Sequence, residues 1–281
     1  MKSFENLYRQ GMDLLKDIPQ SHIDAKLILL HCFGLTSEDF FKNPEREPSD
    51  KDIKKYFQTI RKRSQGYPLS YLTGIKEFWS LPFLVEKGVL VPRPETELII
   101  ETLLDLHPLG NPLIADIGTG CGNIAVSLVK ELPEAKVYAT DISKKALRIA
   151  KKNARIQRME GIQFLRGDLF DPLEKSGMKG KMDFILCNPP YVTCEEWEAL
   201  PDEIKQHEPK GALVSGADGL DFIGRMISSS PEFLKPGGVL IFEIGFGQKD
   251  NVLDLFCNGW SEIKCRDDLS GIPRVISARC I

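Results

Sequence analysis

The stretch Leu113-Ile114-Ala115-Asp116-Ile117-Gly118-Thr119-Gly120-Cys121-Gly122 passes from a short apolar run into three closely spaced glycines. An apolar run of this length bounded by turn residues is a buried strand. Glycine lets the backbone bend and approach a ligand closely. Behind the loop, Asn123–Glu131 has helical spacing. A strand, a tight glycine loop and a helix open an α/β unit, with N–H groups at the helix start able to face a ligand. The loop does not fit the dinucleotide fingerprint GxGxxG: its third glycine comes one residue early and Asn123 stands in the expected place. By itself such a loop is a weak signal for any one ligand.

The pattern repeats downstream. Lys136–Thr140 is a second strand, closed by Asp141. Ser143–Gln157 is a helix with Ala146, Leu147, Ile149 and Ala150 on one face. Ile162–Leu165 is a third strand, ending near Asp168, and Asp183–Cys187 a fourth, ending at Asn188. A helix over Leu220–Leu234 precedes a fifth strand, Val239–Glu243. The segments Glu262–Arg266 and Arg274–Ala278 form a closing strand pair. This alternation predicts an α/β fold, a doubly wound, Rossmann-like, seven-stranded and mostly parallel sheet with helices on both faces. Ligands of such sheets lie beyond the carboxyl ends of the strands, where the glycine loop, Asp141, Asp168 and Asn188 all fall.

Upstream, residues 1–66 read as a small helical domain, with caps at Ser37 and Ser49 and a break at Gln65-Gly66-Tyr67-Pro68. The basic cluster Lys54, Lys55, Arg61, Lys62, Arg63 is a solvated helix face or a docking surface for an acidic macromolecule. Residues 67–92 are a linker with β structure over Ile75–Val91, and the α/β domain runs over 93–281. A helix opens at Pro94-Glu95-Thr96-Glu97, with proline in its first turn and acids at its positive end, and runs to about His107.

The fourth strand stops at Asn188-Pro189-Pro190-Tyr191. Each proline removes an N–H donor and fixes φ, and each preceding residue is held extended. The stiff corner presents an amide, free carbonyls and an aromatic ring to one spot, as a flat amide or amine needs in order to be held in one pose. The same residues also make an ordinary strand-ending turn.

Composition narrows the class. A chain of 281 residues, 42% hydrophobic and 27% charged, is that of a soluble globular protein, and its net charge of −3 argues against a general nucleic-acid binder. No apolar run approaches a membrane span, and Met1-Lys2-Ser3-Phe4-Glu5 lacks the features of a signal peptide. The seven cysteines have no Cys-x-x-Cys spacing and the four histidines are scattered, so a reduced cytoplasm and no metal site are expected.

In a parallel sheet, Asp141 is placed to accept both ribose hydroxyls of an adenosine. Asp168 is placed to take the exocyclic amine of the adenine or to cap a turn, and Leu169 to cover the ring. An adenosine pocket beside Asn-Pro-Pro-Tyr resembles the class I S-adenosylmethionine-dependent methyltransferases that modify planar nitrogens. Nearly the whole chain is similar to one branch, the release factor glutamine methyltransferases. The resemblance extends to Pro68-Leu69-Ser70-Tyr71-Leu72-Thr73-Gly74, Glu77-Phe78-Trp79, Val91-Pro92-Arg93-Pro94-Glu95-Thr96-Glu97, Glu208-Pro209 and Asp218-Gly219-Leu220. Ser80, where glycine is frequent, and Leu169, where an aromatic is frequent, depart from it.

The resemblance implies S-adenosyl-L-methionine as cofactor, held by Gly118, Thr119, Gly120, Cys121, Gly122, Asp141, Asp168, Leu169 and Asn188. It implies a glutamine substrate in the Gly-Gly-Gln segment of class 1 peptide chain release factors, held by Asn188, Pro189, Pro190 and Tyr191. It further implies an enzyme of translation termination whose residues 1–66 recognise the substrate; a cytoplasmic monomer with no direct nucleic acid or membrane partner is expected. The alternatives are a ribosomal-protein glutamine methyltransferase and an adenine-amino DNA or RNA methyltransferase. Glu95, Glu97, Glu208 and Glu243 either brace the pocket or touch ligand.

Overall fold

A computed structural model describes residues 3–281. In chain order the helices and strands are α1 (Phe4–Leu14), α2 (Ser21–Phe33), α3 (Ser37–Lys42), α4 (Asp50–Ser64), α5 (Leu69–Thr73), β1 (Ile75–Phe78), β2 (Leu81–Leu84), α6 (Glu97–Leu104), β3 (Leu113–Ile117), α7 (Asn123–Glu131), β4 (Lys136–Asp141), α8 (Lys144–Ile156), β5 (Ile162–Arg166), α9 (Asp171–Lys175), β6 (Met182–Cys187), α10 (Cys194–Ala199), α11 (Asp202–His207), α12 (Asp221–Ser229), β7 (Leu234–Glu243), α13 (Lys249–Leu253), β8 (Trp260–Asp267) and β9 (Pro273–Cys280). They group into two compact units. One holds the chain through Ile75 together with Pro201–His207; the other holds Lys76–Leu200 and Glu208–Ile281. No helix among the described residues is long and apolar enough to cross a membrane.

The first unit buries one face of each of its longer helices. Phe4 and Leu7 of α1, Ile28 and Leu29 of α2, and Tyr56 and Ile60 of α4 form its core. Ser3 and Ser49 cap α1 and α4, and Thr36 and Asp39 form a capping box on α3, so orphan N–H groups of these helix starts are satisfied locally. The buried Tyr56 hydroxyl donates to the Leu7 carbonyl (3.2 Å). Arg63 of the basic cluster is not on a solvated face. It is buried, donating to Asp24 (2.6 Å) and to Glu203 of the returning segment (2.8 Å). Two carboxylates around one guanidinium offset the cost of removing its charge from water.

The second unit carries a seven-stranded sheet in the order β5-β4-β3-β6-β7-β9-β8. Strands β3 to β7 pair in parallel and β9 runs antiparallel to both β7 and β8. Residues Ala115 and Ile117, Ile185 and Cys187, and Leu240 and Phe242 point to the face covered by α12 and α13. The opposite face meets α6, α7 and α8. Burial on both faces explains why the central strands read as continuous apolar runs. The order of strands reverses between β3 and β6, which opens a crevice beyond their carboxyl ends.

Several boundaries differ from those expected: β7 begins at Leu234 rather than Val239, and Thr36 rather than Ser37 caps α3. The helix expected over Leu220–Leu234 is α-helical only over Asp221–Ser229. A 3-10 turn over Ser230–Glu232 carries Pro231 near its start, and Leu234 already pairs with Met182. The expected helix to His107 stops at Leu104, with His107 left-handed at φ 49°. The β structure expected through Val91 is confined to a hairpin ending at Leu84.

That hairpin turns at Trp79 (φ 51°) and Ser80 (φ 53°), two successive left-handed residues, the geometry that Asn-Gly usually serves. The turn is held from outside: the Trp79 N–H donates to Glu97 (2.7 Å) and its indole N–H to Glu131 (2.8 Å). Ser80→Gly relieves a Cβ clash at the second position and should stabilise the protein by about 0.5–1 kcal/mol, or roughly 1–3 °C in Tm. A calorimetric scan showing an unchanged or lower Tm contradicts this account of the turn.

Candidate active site

The loop after β3 takes its shape from glycines. Gly118, Gly120 and Gly122 have φ of 72°, 57° and 84°. Gly122 is also required for packing, since a Cβ there would lie 3.0 Å from that of Ala150 on α8. The loop is fastened by its own polar groups. The Thr119 N–H donates to the Thr140 carbonyl (2.8 Å), and the Asn153 amide on α8 donates to the Cys121 carbonyl (2.8 Å). Asn153 also exchanges hydrogen bonds with the backbone of Leu84, so one buried side chain joins β2 to the loop.

Beyond the loop lies a cavity of about 270 Å³. Gly118, Gly120, Asp141, Asp168, Leu169 and Asn188 line it together with Pro190. Thr119, Cys121, Gly122, Pro189 and Tyr191 are not on that wall, and Tyr191 lines a separate pocket with Gln248 and Arg274. Cys121 is fully buried and burial pushes its thiol up to about 12, which leaves it inert at neutral pH. The Thr119 hydroxyl donates back to Asp116 (2.5 Å). The loop therefore offers its first two glycines to the cavity and uses its other residues to hold itself in place. A Cβ added at Gly118 would meet no atom within 4 Å, which is the open ground a ligand needs against the backbone.

Asp141, at the end of β4, accepts the Gly120 N–H on Oδ2 (2.9 Å) and the Ser143 N–H on Oδ1 (2.8 Å). Burial raises its pKa, opposed by these two hydrogen bonds. Each carboxylate oxygen keeps further lone-pair capacity for a hydroxyl. Asp168 is paired with Arg225 of α12, a partner far along the chain that the sequence did not announce. Leu169 is buried with φ 44°, a strained conformation for a bulky residue. The Thr140 hydroxyl reaches its carbonyl (3.4 Å).

The Asn188–Tyr191 corner is braced from several sides. Asn188 Nδ2 donates to Thr96 Oγ1 (2.9 Å). The Thr96 hydroxyl donates to Glu243 Oε2 (2.6 Å), and the Tyr191 hydroxyl donates to Glu243 Oε1 (2.9 Å). Glu243 is 1% exposed, and burial raises its pKa against the pull of these donors. The Tyr191 carbonyl accepts from Gln248 Nε2 (2.9 Å), and a Cβ at Gly219 would lie 2.2 Å from it, so only glycine fits there. Glu208 takes the Arg93 guanidinium (2.7 Å). Glu97, Glu208 and Glu243 thus all hold groups of the chain itself. Thr96, Asn153, Gln248 and Arg225 escaped the sequence reading. Thr96 stood in a quoted motif, but its partner Glu243 lies 147 residues away. No cluster of three or more His, Cys, Asp or Glu able to hold a metal occurs among the described residues.

Residues 94–206 match the family model of the methyltransferase small domain, and residues 6–74 match that of the PrmC N-terminal domain. The chain is 39% identical to the release factor glutamine methyltransferase of Koribacter versatilis, over 94% of this chain and 92% of that one. It is 34% identical to the enzyme of the same name from Bacillus cereus, over 99% of both. Among solved structures, the hMettl16 catalytic domain superposes with a TM-score of 0.56 at 17% identity, over 82% of this chain and 81% of that one. A methyltransferase from Pyrococcus furiosus superposes with a TM-score of 0.52 at 17% identity, over 71% of this chain and 88% of that one. At these identities the two structures speak for the fold alone.

Asp116, beneath the glycine loop, carries a titration that thermal unfolding can detect. It is fully buried, and burial pushes its carboxyl up to about 7. A folded pKa above the unfolded value means that the folded state retains a proton the unfolded chain releases. Stability from this group therefore falls as pH rises from about 4 to about 7. The total is on the order of 4 kcal/mol. Asp116→Asn keeps the shape and removes the titration. Its Tm relative to the wild type should climb across that pH window and level off above it, and a Tm difference independent of pH overturns the assignment.

Proposed function

The chain belongs to the release factor glutamine methyltransferase family, and on that basis we propose that it transfers a methyl group to the side-chain amide nitrogen of the glutamine in the Gly-Gly-Gln segment of class 1 release factors. S-adenosyl-L-methionine is the proposed donor, and the cytoplasm, where translation ends, the proposed place of action. One observation carries this reading. The proline-locked Asn188 corner and the acid-plus-glycine wall of Asp141, Gly118 and Gly120 face the same cavity.

The cavity suits the donor. Asp141 would take the ribose hydroxyls, Gly118 and Gly120 would let the backbone lie against the ligand, and Leu169 and Ala146 supply apolar surface for a base. When bound, the donor supplies an electrophilic methyl carbon on a positively charged sulfur.

The remaining work falls to the protein. A carboxamide nitrogen is a poor nucleophile because its lone pair is delocalised into the carbonyl. The Asn188 side-chain oxygen and the Pro189 carbonyl each accept one of its N–H bonds. Both protons are thereby turned away from the donor, and the nitrogen lone pair is aimed along the remaining direction. Tyr191 would pack its ring on the amide face. Proline at two successive positions keeps these acceptors in place before the substrate arrives, so little reorganisation is left for the transition state. The extra proton on nitrogen leaves to water after transfer, and no strong base is needed.

Two substitutions separate the halves of the site. Asn188→Ala should raise the barrier by about 2–4 kcal/mol, a loss of roughly 10²–10³ in kcat, with donor binding intact. Asp141→Ala should weaken donor binding by calorimetry while the protein stays folded. Mass spectrometry of a release factor after incubation with the enzyme and donor reads the product. A methyl group on DNA, on RNA or on a ribosomal protein in its place contradicts the proposal, as does near-wild-type turnover of Asn188→Ala.

We also assign substrate recognition to the N-terminal helical unit, which matches a domain model distinct from that of the catalytic part. Removing residues 1–66 should raise KM for an intact release factor far more than for a short Gly-Gly-Gln peptide. Equal changes for both would show that the unit serves the fold rather than the substrate.

A further inference from the structure

We propose that Thr96 and Glu243 are positioning residues that fix which end of the Asn188 carboxamide faces the cavity, and that Glu243 at the same time withholds the Tyr191 hydroxyl from proton transfer. The inference rests on the reading that Asn188 accepts an N–H of the substrate amide.

A carboxamide has two ends of nearly equal size and opposite hydrogen-bonding sense. Half a turn about its last torsion exchanges acceptor for donor with little change of shape. An Asn188 turned the wrong way would present N–H to the N–H of the substrate. Proline rigidity in the following residues does not prevent this, because they constrain the backbone and leave the side-chain torsion free. Something must therefore read the two ends apart.

Thr96 does so, because its hydroxyl has a single proton. That proton goes to Glu243 Oε2 at 2.6 Å. Toward Asn188 the same oxygen shows only a lone pair, 2.9 Å from Nδ2. A flipped Asn188 would set two acceptors against each other at that distance. In a buried setting this costs more than the lost hydrogen bond alone. The direction of the Thr96 proton is set in turn by Glu243. An ionised carboxylate has no proton to give, so each neighbour must donate to it. Thr96 donates to one oxygen and Tyr191 to the other, at 2.9 Å. As a carboxylate, Glu243 thus orients Thr96 and Tyr191 directly and Asn188 through Thr96, and the chain of bonds ends with Oδ1 of Asn188 as the acceptor left for the substrate.

The same arrangement disposes of Tyr191. Its proton points at a carboxylate inside the protein, and burial together with that charge pushes the phenol above its ordinary pKa. The ring remains available for packing and the hydroxyl does not. A neutral glutamine would fill the site of Glu243 almost as well, but with Nε2 toward Thr96 it would donate to that hydroxyl. The Thr96 proton would then turn to Asn188 and draw Oδ1 inward. A buried carboxylate carries a solvation cost that glutamine does not, offset here by the hydrogen bonds from Thr96 and Tyr191.

The test uses the full-length enzyme with a release factor as methyl acceptor. Thr96→Val and Glu243→Gln should each lower kcat by about 10–100-fold while the Kd for S-adenosyl-L-methionine stays within about twofold. Thr96→Ser, which restores the hydroxyl, should recover most of the loss. The double variant should be no slower than the slower single one, because both changes break a single chain of bonds.

A second reading is independent of turnover. In ¹⁵N-labelled wild type the Asn188 side-chain NH₂ should be protected from hydrogen exchange, and in Thr96→Val that protection should be lost. Wild-type kcat in Thr96→Val, multiplicative losses in the double variant, or an unprotected Asn188 amide in the wild type would each overturn the proposal. A protected amide in a wild-type protein that methylates no release factor would instead leave the lock standing and refute the assigned reaction.

Discussion

Much of the catalytic unit converges on the carboxylate of Glu243. It closes β7 and accepts from Thr96, at the start of α6, and from Tyr191, in the turn after β6. Three segments widely separated in sequence are thus tied at one buried charge. Such a charge is costly to bury and is tolerated only when its hydrogen bonds are complete. The requirement works in both directions: the donors oppose the upward push of burial on the carboxyl, and the carboxylate keeps the donors in one orientation. Without it, the corner at Asn188 would still be stiff along the backbone but undefined at the side chains that face the cavity.

The other wall of the cavity follows a different logic. There glycine backbone lines the cavity, and the side chains mostly secure that backbone. Thr119 ties down to Asp116 beneath the loop and Asn153 grips it from α8, while Asp141 gathers two backbone N–H groups at the strand end. The result is a surface of glycine and one acid, flanked by apolar residues. The two walls differ in kind, one of glycine backbone and an acid, the other a proline-stiffened corner carrying an amide. Both sit at the carboxyl edge of a parallel sheet because every strand there ends pointing the same way, and each loop is delivered to the same side.

The small helical unit is built more conventionally, from capped helices around an aromatic core. Its one costly feature is Arg63, buried between Asp24 and Glu203. In the sequence this residue sits in a run of basic side chains, where a solvated face was the simpler expectation. Its partners lie 39 and 140 residues away, and only the return of the chain through Pro201–His207 supplies the second of them.

Period and punctuation alone carried much of the architecture. Alternating apolar strands and amphipathic helices required a parallel sheet, because strands buried on both faces cannot read any other way. The glycines and prolines marked where backbone must bend or stop, since these residues alter φ directly. The placement of Asp141, Asp168 and Asn188 at strand ends followed from the same reading, and the resemblance supplied the chemistry. Tertiary structure decided the rest. That Cys121 and Thr119 turn away from the cavity, that Asp168 is paired with Arg225, and that Thr96, Glu243 and Gln248 hold the corner are facts about side chains brought together from distant positions. Local propensity acts over a few residues, whereas a buried polar group takes whatever partner the packed fold delivers. No spacing along the chain encodes that choice.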